Sequence, residues 1–288
     1  MKSPLQQEIS ESDLNEIARL LHERTGLRFM GARRRFLNSR VNEVIEMLDC
    51  GNIGALLDLI KNAGRDDVFQ RVVDQVITDE TSFFRYPEHF DALRHFILPA
   101  IASNRDFSES GDRTIRILSA GCSRGHEPYS IAMSCLEEKE TLSRCRVIIY
   151  ALDLSKPLLE IARDGIYDAS EVRHLPTELS SKYFTPAENF NGRGQKIEVI
   201  PELKEMIRFQ QCNLKDELAG PIFDVVFCRN VTIYFDETDT RKVAENLYSK
   251  LLPGGYLFLG HAESYYGILS GLCTVQFGEA LVNRKPVK

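Results

Sequence analysis

The sequence predicts an α/β molecule in two parts. An all-helical domain over residues 1–78 and a connecting segment over 79–113 precede an α/β domain over 114–288, which carries a small antiparallel insert at about 165–206. Three observations carry this. Before residue 114 apolar residues recur at three- and four-residue steps, and no convincing strand is present. After it, apolar runs of four to seven residues alternate with helical stretches, the pattern of a mostly parallel sheet covered on both faces by crossover helices. Residues 165–206 then interrupt that alternation between two strands.

Taken in order, Ser10 or Ser12 can cap a first helix that carries Leu14, Ile17, Ala18, Leu20 and Leu21. A second carries Phe36, Leu37, Val41, Val44, Ile45 and Leu48, and shorter helices are predicted at 54–62, 66–78 and 87–103, with Gly31, Gly51 and Gly64 as punctuation. The polar stretch Ser103 to Asp112 reads as a linker. Predicted strands are Thr114 to Ser119, Val147 to Leu152, Ile207 to Gln211, Asp224 to Cys228, Tyr256 to Gly260 and Thr274 to Leu281. Helices are expected at 126–138, 155–164 and 238–251. About a dozen residues separate the last two strands, which suits an antiparallel edge strand better than another crossover. Within the insert, Lys182 to Phe184 and Lys196 to Ile200 can pair across a turn around Asn191-Gly192-Arg193-Gly194.

Composition excludes several classes. Apolar residues make up 43% and charged ones 27%, which fits a globular chain and not a disordered or collagen-like one. No apolar run approaches the roughly 20 residues of a membrane helix, and the N-terminus lacks an apolar export region, so a cytoplasmic location is expected. Seven cysteines, scattered singly with no C-x-x-C, argue against a disulfide scaffold or a zinc site, and no metal is expected. The net charge of −6 argues against a surface built for nucleic acid. Yet Arg24, Arg28, Arg33, Arg34, Arg35 and Arg40 face only Glu23 and Glu43 across residues 23–43, a local excess of +4.

The segment Ile115-Arg116-Ile117-Leu118-Ser119-Ala120-Gly121-Cys122-Ser123-Arg124-Gly125-His126-Glu127-Pro128 reads as strand, tight loop and helix, with Pro128 in the first helical turn. Gly121 permits a sharp exit and Gly125 is expected to let a ligand approach the backbone. A dinucleotide site needs G-x-G-x-x-G; this loop has G-x-x-x-G with Glu127 at the helix terminus, where its charge repels phosphate and suits a cationic ligand. The same loop is also compatible with an ordinary strand-to-helix turn. Asp153 ends the second strand, where a carboxylate can take both hydroxyls of a ribose or cap the next helix. Together the two features indicate a nucleoside without a diphosphate, and S-adenosylmethionine fits. At the end of a later strand Asn230 is followed by Val231 and not Pro-Pro, and the chain has no Pro-Cys, so base methylation loses ground. Finally, Thr78-Asp79-Glu80-Thr81-Ser82-Phe83-Phe84-Arg85 is too polar and aromatic for a plain helix. Arg85 and two phenylalanines can close over a cofactor, or both rings belong to the core.

These blocks, in this order, resemble the CheR-type family of chemotaxis receptor methyltransferases. The matching stretches are Glu80 to Arg85, Ser119 to Ser123 with Gly125 and Glu127 to Ala132, Phe223 to Val231 with Ile233 to Asp236, and Pro253 to His261; the likeness spans about residues 10 to 284. The resemblance implies a Rossmann-like class I methyltransferase domain with a small β-subdomain, preceded by an all-α domain. It also implies esterification of glutamate side chains on the cytoplasmic helices of chemoreceptors, with S-adenosylmethionine converted to S-adenosylhomocysteine. By position, cofactor contacts are expected at Asp79, Thr81, Arg85, Glu127, Asp153, Asn213, Leu214, Arg229 and Asn230, with Arg85 and Tyr234 serving the reaction. Asp79 stands where the family usually has Asn, His126 where it often has Glu, and Ala262 where Ser is common.

On that resemblance the basic helix, with Arg33, Arg34, Arg35 and Arg40, is expected to dock acidic receptor helices; a solvated face or another acidic partner such as RNA is the alternative. The expected partners are the methyl-accepting receptors, with no nucleic acid, no membrane insertion and a monomeric enzyme. A nicotinamide-dependent oxidoreductase is disfavoured by the missing glycine fingerprint, and a non-catalytic S-adenosylmethionine-binding adapter is the other alternative.

Overall fold

Ser10 begins the first helix as its side chain accepts the Asp13 N–H at 3.1 Å, and Gly26, at φ 82°, ends it in the left-handed region. In the computed structural model, which describes residues 9–62, 64, 66–104, 113–187 and 195–287, α1 (Glu11–Thr25) is followed by α2 (Ala32–Met47), α3 (Ile53–Lys61) and α4 (Asp66–Val76). Their apolar stripes supply fully buried Ile17, Leu37, Val41, Val44, Leu56, Val68, Val72, Val73 and Val76. The chain divides into two compact units. The helical one runs to Thr78 and also takes in Tyr234–Asp239, and the α/β one holds Asp79–Ile233 and the residues from Thr240 onward.

The α/β unit opens with α5 (Pro87–Ala92), which continues through a π-helical turn at Leu93–Ile97 into α6 (Leu98–Asn104), where one regular helix was expected. Strands and helices then alternate: β1 (Thr114–Ala120), α7 (His126–Glu137), β2 (Arg146–Asp153) and α8 (Lys156–Asp164). The insert comprises β3 (Ile166–Asp168), α9 (Thr177–Tyr183), β4 (Phe184–Pro186) and β5 (Lys196–Val199). It is followed by α10 (Pro201–Glu205), β6 (Ile207–Gln211), β7 (Phe223–Cys228), α11 (Glu237–Ser249), β8 (Leu251–Leu259), β9 (Cys273–Phe277) and β10 (Ala280–Arg284).

The large sheet has the order β6-β2-β1-β7-β8-β10-β9. Its first five strands are parallel and β10 is antiparallel to both β8 and β9. β7 is buried at every position, as a strand covered on both faces must be. The single edge strand expected over Thr274 to Leu281 is instead a hairpin that turns at Gly278, φ 58°, within the alternating apolar run. The insert has three strands in the order β3-β5-β4, and Lys182 and Tyr183 close a helix while the strand begins at Phe184. The turn expected around Asn191 to Gly194, and most of the linker at Ser103 to Asp112, lie outside the described residues. Among the described residues no helix is long and apolar enough to cross a membrane.

Candidate functional site

Successive strands step from β1 outward to β2 and β6, and the chain then returns to add β7 on the other side of β1. That reversal opens a crevice at the carboxyl ends of β1 and β7, where open α/β sheets hold their ligands. The loop leaving β1 is tied to its neighbour: the N–H groups of Gly121 and Cys122 both donate to the Leu152 carbonyl, at 2.8 and 2.9 Å. Gly121, at φ 79°, has no room for a side chain because a Cβ there runs into Val231. Gly125, at φ 91°, is required by packing, since a Cβ would stand 2.8 Å from the Ala162 methyl and 3.1 Å from the Tyr167 hydroxyl.

Asp153 is buried at the end of β2 and fixed by two backbone donors, Ser123 N–H at 2.7 Å and Ser155 N–H at 3.0 Å, one to each oxygen. Its neighbours Leu152 and Leu154 line a cleft of about 390 Å³ with Gln211, Cys212, Asn213 and Asp216. Asn213 closes its own turn by accepting the Lys215 N–H at 3.1 Å, and Leu214 is buried. A fixed carboxylate beside a cleft of this size fits the ribose and base of a nucleoside.

Glu127 is not the open negative charge that its place at the start of α7 implied. Its carboxylate accepts from Ser119 Oγ at 2.6 Å and from Arg229 Nε at 2.7 Å, with both members of the ion pair buried. Arg229 reaches on to the Arg85 carbonyl at 2.5 Å and to His89 Nδ1 at 3.3 Å. Burial, together with the Arg229 charge, pushes His89 down to about 4, so its imidazole is neutral and accepts from the guanidinium.

Asn230 follows with φ 60°, a left-handed conformation maintained by a residue that the sequence reading missed. Glu263 Oε2 accepts the N–H groups of Asn230 at 2.6 Å and Gly260 at 2.8 Å. Its Oε1 accepts Val231 N–H at 2.9 Å, Thr232 N–H at 2.7 Å and Thr232 Oγ1 at 2.8 Å. The Glu after Gly260-His261-Ala262 was a signal available in the sequence, but its partners are backbone groups, which no residue pattern displays. Asn230 Nδ2 donates to the Tyr86 hydroxyl at 3.1 Å.

Arg85 and its neighbours divide between core and site. Phe83 is buried against His126, Tyr167 and Phe184, and Phe84 packs on Phe90, so the two rings are core and do not close over a ligand. Arg85 donates to the Glu80 carbonyl at 3.1 Å and stands 5.4 Å over the Tyr86 ring. Thr81 is half-buried, and Asp79 stands 3.7 Å from Arg124, whose other end meets Glu171 at 2.8 Å. His126 is wholly buried, held neutral by desolvation, and pairs with Glu171 at 2.9 Å. Glu88, His89 and His261 gather their ligand atoms within 4.8 Å, but the Arg229 charge against His89 disfavours a cation there.

Within the helical unit the expected docking arginines differ among themselves. Arg33 is half-buried, 4.3 Å over the Tyr234 ring and 5.0 Å from Phe29, and desolvation lowers its pKa. It packs, and does not offer its charge. Arg34 pairs with Glu11 at 2.6 Å and Arg40 with Glu43 at 2.7 Å, while Arg35 is exposed. Tyr234 is further fixed through its carbonyl, which accepts the Arg28 N–H at 2.9 Å.

Residues 79–270 match the family model described as CheR methyltransferase, SAM binding domain, and residues 12–77 match the CheR methyltransferase all-alpha domain. Chemotaxis protein methyltransferase 2 of Vibrio cholerae is 31% identical over 283 residues, covering 97% of this chain and 95% of that protein. A chemotaxis protein methyltransferase of Borreliella burgdorferi is 32% identical over 262 residues, covering 90% of each. Chemotaxis protein methyltransferase 1 of Pseudomonas aeruginosa is 34% identical over 275 residues, covering 93% of this chain and 96% of the relative.

Proposed function

Because the chain belongs to the CheR family of S-adenosylmethionine-dependent methyltransferases of chemotaxis, we propose that it methyl-esterifies glutamate side chains on the cytoplasmic helices of chemoreceptors. The observation that carries the reading is the composition of the crevice. It offers a fixed carboxylate, Asp153, at the end of β2, with Arg85 on the segment before α5, and among the described residues the histidines nearest Arg229 and Glu171 are buried and held by structural partners. When bound, S-adenosylmethionine supplies an electrophilic methyl group and leaves as S-adenosylhomocysteine.

The chain's own residues bind, orient and exclude water. Asp153 receives the ribose hydroxyls, with Asn213 and Leu214 at the base, while Asp79, Thr81, Glu127, Arg229 and Asn230 complete the cofactor's surroundings. Arg85 orients a carboxylate through its planar fork, and Tyr234 serves on the acceptor side. A glutamate side chain is ionised at neutral pH, with a reference pKa of ~4.3, so it attacks without a general base. His89 and His126, both held neutral by burial, are then structural, which agrees with chemistry that moves no proton. Catalysis is by alignment and desolvation.

The test is transfer of labelled methyl from S-adenosylmethionine to membranes containing receptors. Base-labile label released as methanol is the expected result; base-stable label, or none, overturns the ester reading.

A further inference from the structure

We propose that Glu171, on the insert, is a positioning residue for the cofactor: it draws the Arg124 guanidinium off Asp79 and so leaves the Asp79 carboxylate available to the cationic amino group of S-adenosylmethionine. The inference rests on the reading of Asp79 as a cofactor contact.

The two oxygens of Glu171 have separate tasks. Oε1 accepts the Asp168 N–H at 3.1 Å and completes a capping box on the short turn Ala169–Val172. Capping needs that oxygen alone. Oε2 points out of the insert and accepts from Arg124 Nη2 at 2.8 Å and from His126 Nε2 at 2.9 Å, one on each side of Gly125. The hydrogen bond from His126, joined by the Asp168 N–H and the Arg124 charge, holds the Glu171 carboxyl down at about 2, so it is a full anion at neutral pH.

Two acids therefore compete for one cation. Arg124 Nη2 lies on Glu171, whereas Arg124 Nε stands 3.7 Å from Asp79 Oδ2, too far for a hydrogen bond. That Nε is buried and has no hydrogen-bond partner among the described residues. A guanidinium between two carboxylates commits its strong bond to the closer one, here Glu171. With Glu171 neutral, Asp79 is the one acid left to Arg124 among its ion pairs in the described residues, and a small side-chain rotation closes the gap.

The surrounding backbone does not depend on this charge. The Tyr167 hydroxyl donates to the Arg124 carbonyl at 2.7 Å, Ser123 N–H donates to Asp153 at 2.7 Å, and His174 Nε2 donates to the Phe83 carbonyl at 2.8 Å. Loss of the Glu171 charge thus redirects the Arg124 side chain and leaves the loop after β1 and the segment before α5 in place. Asp79 has a side chain 59% exposed, open to a ligand. A carboxylate in that state receives an ammonium group through a charge-assisted hydrogen bond; one already closed on a guanidinium has little attraction left for it.

Glu171→Gln keeps the shape and one acceptor oxygen while deleting the charge. Calorimetry would compare S-adenosylhomocysteine, which carries the amino group, with methylthioadenosine, which lacks the amino-acid end. We expect S-adenosylhomocysteine affinity to fall about tenfold, the value of one hydrogen bond to a charged group, with methylthioadenosine within about twofold of wild type. Adding Arg124→Gln should restore the wild-type ratio of the two affinities, because the competing cation is gone; a loosened loop would not be rescued by removing a second side chain. Arg124→Gln alone, which leaves the cap intact, should hold or raise that ratio. Equal losses for both ligands, or a loss that Arg124→Gln does not rescue, overturns the positioning role. A lowered ratio in Arg124→Gln alone also overturns it, by placing the guanidinium on the cofactor. Asp79→Asn separates the underlying reading. A wild-type ratio there removes Asp79 as a contact and this inference with it, whereas a lowered ratio there beside a wild-type ratio in Glu171→Gln overturns the Glu171 assignment alone.

Discussion

Asp153 accepts one N–H from the loop after β1 and another from the start of α8, so its orientation is set before any ligand arrives. Asp153→Ala deletes acceptors for both ribose hydroxyls, and charge-assisted bonds of this kind are worth ~1.5–3 kcal/mol each. S-adenosylhomocysteine affinity should fall at least tenfold by calorimetry in the folded variant; an unchanged value would put the ribose elsewhere. His89 makes a different prediction. Its pKa is lowered from 6.5 to about 4, so the neutral form is the folded one. Stability from this residue is fully present above pH ~6.5 and is lost as pH falls toward 4, and by linkage it is on the order of 3 kcal/mol. Unfolding free energies of wild type and His89→Leu, compared across that window, should show the slope of the variant reduced. Asp153 was legible in the sequence because its meaning depends on its place at a strand end. His89 was not, because nothing in Pro87-Glu88-His89-Phe90 says that an arginine 140 positions later will stand against it.

The turn after β7 shows how one side chain can define an element. Five donors converge on the Glu263 carboxylate, three of them the consecutive N–H groups of Asn230, Val231 and Thr232. Glu263→Gln keeps the shape but replaces one oxygen by an NH2 group that faces other donors. Leaving buried N–H groups unpaired costs about 1–3 kcal/mol, and denaturant unfolding should show a loss in that range together with weaker S-adenosylhomocysteine binding. An unaltered variant would mean that the turn is held by its own backbone. Strand positions in the α/β unit were readable to within a residue or two at β1, β2, β6 and β7, most plainly at β7, whose apolar run is buried at every position, whereas β6 is an edge strand with alternating residues. The hairpin β9–β10 was not, because apolar residues stand on both parities around Gly278, and only the structure shows the inward face passing from Val275 and Phe277 to Ala280 and Val282. The π-helical turn at Leu93–Ile97 has no composition cue at all. The Tyr234–Asp239 segment groups with the helical unit through contacts such as His22 Nε2 to Asp236 at 3.1 Å, which couple residues remote in sequence.

For the whole molecule, a net charge of −6 coexists with the arginine-rich α2. The local excess is smaller than the sequence implies, because Arg24 and Arg34 have acid partners from outside residues 23–43, in Asp66 and Glu11, while Arg40 pairs with Glu43 within them. These pairs are exposed, so each contributes about 0–1 kcal/mol and can be exchanged for an acidic partner at little cost. Reversing Arg34 and Arg40 to glutamate should therefore raise the apparent KM for receptor and flatten its salt dependence, with S-adenosylhomocysteine affinity and fold intact. An unchanged KM and salt slope would identify α2 as a solvated face. The sheet order has a consequence for biosynthesis. β10 lies between β8 and β9 although it follows both in the chain. While the ribosome has released the chain only as far as Phe277, the outer edge of β8 is unpaired and β9 has no strand to join. Such an edge invites pairing with neighbouring nascent chains, so the interval before Arg284 emerges is when a chaperone is needed most. A message truncated within that interval would yield an adhesive fragment and not a smaller enzyme.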